Sequence, residues 1–405
     1  MKLLFLCVTE FQLLTALNMK YHLFPDDIVD IIVGNYHGEE AALADRIKQL
    51  NWFRYVSYVK FGVENKTLHA YFRGISDGNK TLPLSEALSN TSAFFRSRIG
   101  EKIAGPELYL NILIDDFKKL DFTEYDAVYS YGKKPVLMRL FKYLHTINSR
   151  CKIIQMDEGI GSYYEINIGG DEVADACALY EPNAKVVSCE AKKIPSISSN
   201  DKQFIKSINS VFGFDERCTE DYSNAIVYLD QGIYNVTPKY LRNATTLKKM
   251  IFYNAYKRHK REEEDFFTHK RLTEELLDIF SDKAIWIKPH PRSSNDMLAD
   301  YSSLGTKVKI IPQYQVPWEV IALNSAMDNT LLLTENSSSL FVFPAVIPDK
   351  AIGTIGCAVY KLLNNTMSPE FEKSVDKIKN IYPKQIFIPT SREELIDFAL
   401  RKNTL

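Results

Sequence analysis

The stretch Lys288-Pro289-His290-Pro291-Arg292 sets an imidazole between two fixed positive charges and two prolines. Ahead of it, Ala284-Ile285-Trp286-Ile287 has the character of a short buried strand. Proline cannot extend a hydrogen-bonded ladder, so the strand stops there and the histidine is delivered at its carboxyl end. In open α/β sheets that end is where ligands bind. Lys288 and Arg292 beside the ring suit a phosphate-bearing partner. The plain alternative is a capped loop carrying a solvated histidine.

Two further constellations stand at the ends of apolar runs. Asp157-Glu158-Gly159-Ile160-Gly161 follows Lys152-Ile153-Ile154-Gln155-Met156. It places two carboxylates on a tight turn, where one can raise the other's pKa and poise it as a proton acceptor. An ordinary solvated turn would carry the same residues. Tyr164 stands where a dinucleotide fingerprint needs its third glycine, which excludes that motif. Thr334-Glu335-Asn336-Ser337-Ser338-Ser339 follows Thr330-Leu331-Leu332-Leu333 and offers hydroxyls and first-turn N–H groups to an anion. A serine N-cap accounts for one of the three serines only. Between these motifs, Glu319 in Gln315-Val316-Pro317-Trp318-Glu319 reads either as an acceptor for ribose hydroxyls or as a first-turn acid complementing the helix dipole.

The elements that must hold these residues alternate along the whole chain. Residues 2–8, 28–33, 126–131 and 152–156 read as strands, and 135–148 carries apolar side chains at helical spacing, which makes a βαβ unit and a parallel pair. A polar shift over 185–222 marks the junction region. A second alternating series follows, with strands at 225–229, 284–288, 307–311, 329–334 and 351–355 and a long helical region at 237–280. Ser391-Arg392-Glu393-Glu394 opens a last helix with a capping-box pattern. The expected fold is α/β, two Rossmann-like doubly wound domains in tandem facing a cleft. The expected limits are 1–215 for the first domain, 216–390 for the second and 391–405 for a terminal helix. Residues 65–120 give no clear order.

At 405 residues the length favours two domains, and the net charge of −1 offers no field for nucleic acid. Six scattered cysteines form no CxxC pair and the seven histidines show no zinc spacing, which suits reduced thiols. Asp115-Asp116 reads as a surface helix rather than a metal site. The apolar start, Leu3 to Val8, is cut short by Glu10 and Gln12, so a buried strand explains it better than a signal peptide. A cytoplasmic protein is expected, at most peripheral at the inner membrane face. The basic stretch Lys248 to Arg261 could hold anionic lipid or a phosphorylated saccharide, but reads more plainly as a solvated helix with i, i+4 ion pairs.

The order Asp-Glu-Gly, Lys-Pro-His-Pro, Pro-x-Glu and Ser-Ser-Ser resembles the bacterial sialyltransferases, with their D/E-D/E-G, HP and paired-serine motifs on a two-Rossmann GT-B fold. The likeness is greatest to the lipooligosaccharide sialyltransferases (glycosyltransferase family 52), related to the bacterial polysialyltransferases. Thr9-Glu10-Phe11-Gln12 resembles that family's Thr-Pro-x-Gln turn, with Glu10 in place of proline. The resemblance implies an inverting, metal-independent transfer of sialic acid from CMP-sialic acid to a glycan or glycolipid acceptor, with no cofactor, and a homodimer. It implies a general base in Asp157, with Glu158 second. His290 would act as general acid or as stabiliser of the leaving phosphate. Lys288, Ser337, Ser338 and Ser339 would contact the phosphate, Gly159 would line the donor site, and Glu319 would meet the ribose. Asp230, in Tyr228-Leu229-Asp230-Gln231-Gly232, also follows a strand and is the alternate base, since family 52 places an acid upstream of its HP motif. The same architecture with a hexosyl donor, or a non-catalytic nucleotide- or glycan-binding protein of capsule assembly, are the competing readings.

Overall fold

In the computed structural model, described residues are 1–34, 40–59, 119–131, 135–165, 167–169, 172–232, 253–280, 283–291, 293, 300–363 and 367–403. Asp115-Asp116, Arg292, residues 65–118 and the first part of the region expected to be helical at 237–280 lie outside them. The chain divides into two compact units. The first holds Met1–Glu158, Glu165–Pro182 and Val187–Pro195; the second holds Gly159–Tyr164, Asn183–Val186 and Ser196–Leu405. The chain thus passes between the units several times between Glu158 and Ser196.

The first unit is built on a seven-stranded sheet in which every pairing is parallel. Its strands are β1 (Lys2–Cys7), β2 (Ile28–Val33), β3 (Tyr55–Tyr58), β4 (Ala127–Ser130), β5 (Lys152–Met156), β8 (Ala176–Leu179) and β9 (Glu190–Lys193), while β6 (Asn167–Gly169) and β7 (Glu172–Val173) form a separate antiparallel pair. The order β3-β2-β1-β4-β5-β8-β9 reverses direction between β1 and β4. Parallel strands covered on both faces must be apolar almost throughout, and β1 is buried from Leu3 to Cys7. Helix α1 (Glu10–His22) is buried along Gln12–Lys20, and α3 (Pro135–Ile147), numbered after α2 (Glu40–Gln49), sends Leu140, Phe141 and Leu144 into the cluster of Leu4, Leu6, Val128 and Ile153. At the reversal point the Gln12 side chain accepts from Val8 N–H at 2.8 Å and donates to the Tyr131 carbonyl at 3.2 Å. Gln12 therefore joins the loops that follow β1 and β4.

The second unit has six parallel strands in the order β12-β11-β10-β13-β14-β15. They are β10 (Ile226–Leu229), β11 (Ile285–Lys288), β12 (Val308–Ile310), β13 (Thr330–Thr334), β14 (Thr354–Ala358) and β15 (Ile386–Phe387). Numbered within the unit this is the 3-2-1-4-5-6 order of a Rossmann sheet, with its switch point between β10 and β13. Ahead of the sheet, α4 (Lys202–Phe212) is capped by Asp201, which accepts from Phe204 N–H, and ends on Gly213 at φ 67°. One face of the sheet is covered by α5 (Tyr253–Ile279), whose Phe266, Leu272 and Leu276 pack on Ile226, Ile285 and Leu333. The remaining helices are α6 (Trp318–Asn324), α7 (Ser338–Val346), α8 (Pro348–Ala351), α9 (Pro369–Ile381) and α10 (Arg392–Asn403). In α7 every residue from Leu340 to Val346 is buried. The two all-parallel, Rossmann-like sheets are the pair of units from which a GT-B fold is made.

Candidate active site

Three loops leave the carboxyl ends of the second unit's central strands. Asp230-Gln231-Gly232 follows β10, Pro289 to Ser293 follows β11, and Glu335 to Ser337 follows β13 and leads into α7. The ladder fixes their starts, because Leu229 pairs with both Lys288 and Thr334. Past the ladder, side chains continue the connection. Gln231 Nε2 donates to Ser337 Oγ at 3.0 Å, and Ser293 Oγ donates to the Gly232 carbonyl at 3.0 Å. The Pro-flanked turn closes through Ser293 N–H on the His290 carbonyl at 2.9 Å, leaving the His290 side chain half-buried.

Ser337 occupies the N-cap position of α7, yet its hydroxyl makes no cap bond to the helix. Its backbone N–H instead donates to Thr334 Oγ1 at 3.0 Å. Ser337 is buried, while Ser338 and Ser339 are half-buried. Gly159 lies against Ser338: at φ 104° it holds a backbone geometry that side chains resist, and a Cβ there would stand 2.3 Å from Ser338 Cβ. The glycine of the Asp-Glu-Gly motif and the serine motif, far apart in sequence, are therefore in direct contact.

Lys288 is buried, and its ammonium donates to the carbonyls of Tyr314 and Pro289. Its charge is felt at Glu319, whose carboxyl is also bonded by Ser339. Burial dominates at Glu319 and raises its pKa above the ordinary carboxylate value, against the opposing pull of its own backbone N–H, Ser339 and Lys288. One of its oxygens, Oε1, is buried with no hydrogen-bond partner. Such an atom is costly unless something fills it, which suits a hydroxyl-bearing ligand.

Asp157 and Glu158 end the first unit's β5 segment. Asp157 is fully buried and its Oδ2 accepts from Tyr180 N–H at 3.0 Å, whereas Glu158 is half-buried. Asp230 is almost fully buried, with Oδ1 accepting from Gly232 N–H and facing His269 Nδ1 at 3.1 Å, and Oδ2 accepting from Tyr301 OH at 3.2 Å. A carboxylate with both oxygens so occupied is poorly placed to receive a substrate proton.

His269 escapes a motif search. It is one of the charged-looking positions of a helix rich in Lys, Arg and Glu, and no local pattern flags it. The signal was its spacing: Phe266, His269, Thr273, Leu276 and Phe280 recur every three or four residues and are all buried, so the histidine belongs to the inward stripe of α5. Among the described residues no cluster of His, Cys, Asp and Glu is arranged to hold a metal ion, and no helix is long and apolar enough to cross a membrane.

The groups on these loops suit an anionic, hydroxyl-bearing ligand: serine hydroxyls at a helix start after β13, a half-buried imidazole after β11, and a buried carboxyl with an unfilled oxygen. No curated protein matches the chain. The model of the alpha-2,8-polysialyltransferase (POLYST) family matches residues 117–355, more than half of the chain and a span that includes each of these loops. By that match the chain belongs to the alpha-2,8-polysialyltransferase family, a family of sialyltransferases.

Proposed function

We propose that this protein transfers sialic acid from CMP-sialic acid, with inversion, to a hydroxyl of a bacterial surface glycan. The observation that carries the reading is the family match over a span whose His290 and serine loops stand around the switch point of a Rossmann-like sheet. Mononucleotide-binding sheets take their ligands at that place.

In this reading the acceptor oxygen attacks the anomeric carbon as the bond from that carbon to the CMP phosphate oxygen breaks. The bonding pair leaves with the phosphate, and the acceptor's proton passes to a carboxylate. His290 pairs with or protonates the departing phosphate, and Ser337, Ser338 and Ser339 supply hydroxyls to it. Glu319, with its unfilled Oε1, takes a ribose hydroxyl. Lys288 acts on this region through its charge, since its ammonium is held by backbone carbonyls. Asp157 is the favoured base, Glu158 the second, and Asp230 the third because its oxygens are already engaged. No metal or cofactor enters the reaction so written. The family's description makes a glycan ending in sialic acid the first acceptor to try.

Comparing thermal shifts with CMP, CDP, UDP and GDP tests the donor. Selective stabilisation by CMP, followed by turnover of CMP-sialic acid, is expected. A preference for UDP would assign a hexosyl donor to the same scaffold. Binding without turnover of any donor would leave a binding protein.

A further inference from the structure

Where α5 covers the second sheet, ionisable side chains close an interface that is otherwise apolar. Alternation along β10 puts Ile226, Tyr228 and Asp230 on the α5 face, and along β13 it puts Leu331, Leu333 and Glu335 there. His269 comes down from α5 between the two acids. Its Nδ1 is 3.1 Å from Asp230 Oδ1 and its Nε2 is 3.0 Å from Glu335 Oε2.

We propose that His269 is a positioning residue for the donor-binding loops: an imidazolium that ties the carboxyl end of β10 to that of β13 through Asp230 and Glu335. The proposal rests on the donor-site reading given above.

The protonation state follows from geometry. A neutral imidazole has one N–H and would turn a lone pair toward one of the two acids, whereas the doubly protonated ring donates to both. The Tyr228 hydroxyl, 3.0 Å from Nδ1, then accepts a share of the same proton. Burial alone would lower the ring's pKa, but its hydrogen bonds and charge interactions with Asp230 and Glu335 outweigh that and hold it at about 10.

The clamp sits where the backbone ladder gives out. Leu229 and Thr334 are the last paired residues of β10 and β13, and the two acids are the next residue on each strand. From Asp230 the connection runs on through Gly232 N–H, and Gly232 in turn holds Ser293 of the His290 turn. Gln231, between them, holds Ser337. One ring on α5 is thus linked to the loops after β10, β11 and β13. Apolar side chains of similar volume would hold helix to sheet at least as firmly as a buried ionic triad, so stability alone does not account for these charges.

The test uses the full chain and compares wild type with His269→Gln, Ser337→Ala, the double variant and Glu335→Gln. Readouts are CMP affinity by calorimetry, donor KM and kcat, and the melting temperature. His269→Gln is expected to weaken CMP binding on the order of 10-fold or more, as displaced binding groups do. The loss caused by Ser337→Ala should shrink several-fold in the His269→Gln background, because the serine is no longer positioned. Glu335→Gln removes one of the acids that retain the ring's proton, so the ratio of its CMP affinity to that of wild type should fall as pH rises between about 6 and 9. Additive single effects together with a pH-independent ratio for Glu335→Gln would overturn the proposal. Should His269→Gln fail to fold, the Glu335→Gln profile decides by itself. If wild type neither binds CMP nor turns over CMP-sialic acid, the donor reading fails, an outcome recognisable before any variant is compared.

Discussion

Glu319 shows how a single side chain can cost stability and still be useful. Its carboxyl pKa is raised chiefly by burial, so folding favours the protonated form. That contribution is present below the unfolded pKa and is lost as pH rises through the raised folded value. Above that raised value the ionised group weighs against the fold. Glu319→Gln should therefore raise the melting temperature on the alkaline side of this titration while weakening CMP binding, and scanning calorimetry across pH with and without CMP checks both halves. A lowered melting temperature would mean that the carboxylate is better satisfied than its unpartnered Oε1 suggests. His290 calls for the opposite pattern. His290→Ala should cut kcat by about 10²–10⁴-fold and leave donor affinity nearly intact, as loss of a general acid does. Asp157→Asn, which retains an acceptor for Tyr180 N–H, should lower kcat comparably. Normal turnover in that variant would move the base to Glu158 or Asp230.

At the scale of elements, the contact between Gly159 and α7 ties two sequence motifs together. The short 3-10 turn Ile160–Tyr163 begins right after Gly159 and rests in the second unit, as does Ser338 at the start of α7. Gly159→Ala meets two obstacles at once, a positive φ and a Cβ at 2.3 Å from Ser338 Cβ. A loss of about 1–3 kcal/mol in urea denaturation is expected, together with weaker CMP binding as α7 is displaced. If Gly159→Ala were neutral, the approach of this turn to α7 would have no bearing on the serine motif. Helix α5 carries the other element-level lesson. Its exposed face pairs Lys260 with Glu264 and Arg261 with Asp265 at i, i+4 spacing, while Lys248 and Lys249 of the basic stretch lie outside the described residues. Its buried face holds His269.

Across the whole molecule, the His269 clamp is expected to set an alkaline limit on stability. The ring's pKa rises from 6.5 to about 10 on folding, so its contribution is fully present below about pH 6.5 and is lost as pH climbs through about 10. Thermal melts of wild type should fall away on the alkaline side, and His269→Gln should flatten that limb while lowering stability at neutral pH. An identical alkaline limb in the variant would assign it to other groups, among them the buried tyrosines. The fold that sets this clamp is repeated: each unit has a parallel sheet with one switch point, and each switch point is bridged by a side chain, Gln12 in the first and His269 in the second.

Much of this was legible in the sequence because it depends on local pattern. Strands such as Ile28–Val33, Lys152–Met156, Ile285–Lys288 and Thr330–Thr334 show themselves as apolar runs, ended by Gly34, Asp157-Glu158-Gly159, Pro289 and the polar run Glu335 to Ser339 respectively. That put His290 on a loop and the three serines at a helix start, both at carboxyl ends of strands, without any coordinates. Ala176–Leu179 is apolar but short and alanine-rich, and the edge strand Glu190–Lys193 is polar, so neither stands out as a strand. Tertiary structure alone decided the partners. His269 and Asp230 are 39 residues apart, and only the crossing of α5 over the sheet brings them to 3.1 Å. Lys288 has the same charge wherever it points; packing turned it inward onto carbonyls. Periodicity tells which face of its own element a residue occupies, while its contacts depend on what another element places there, and that is a property of the folded chain.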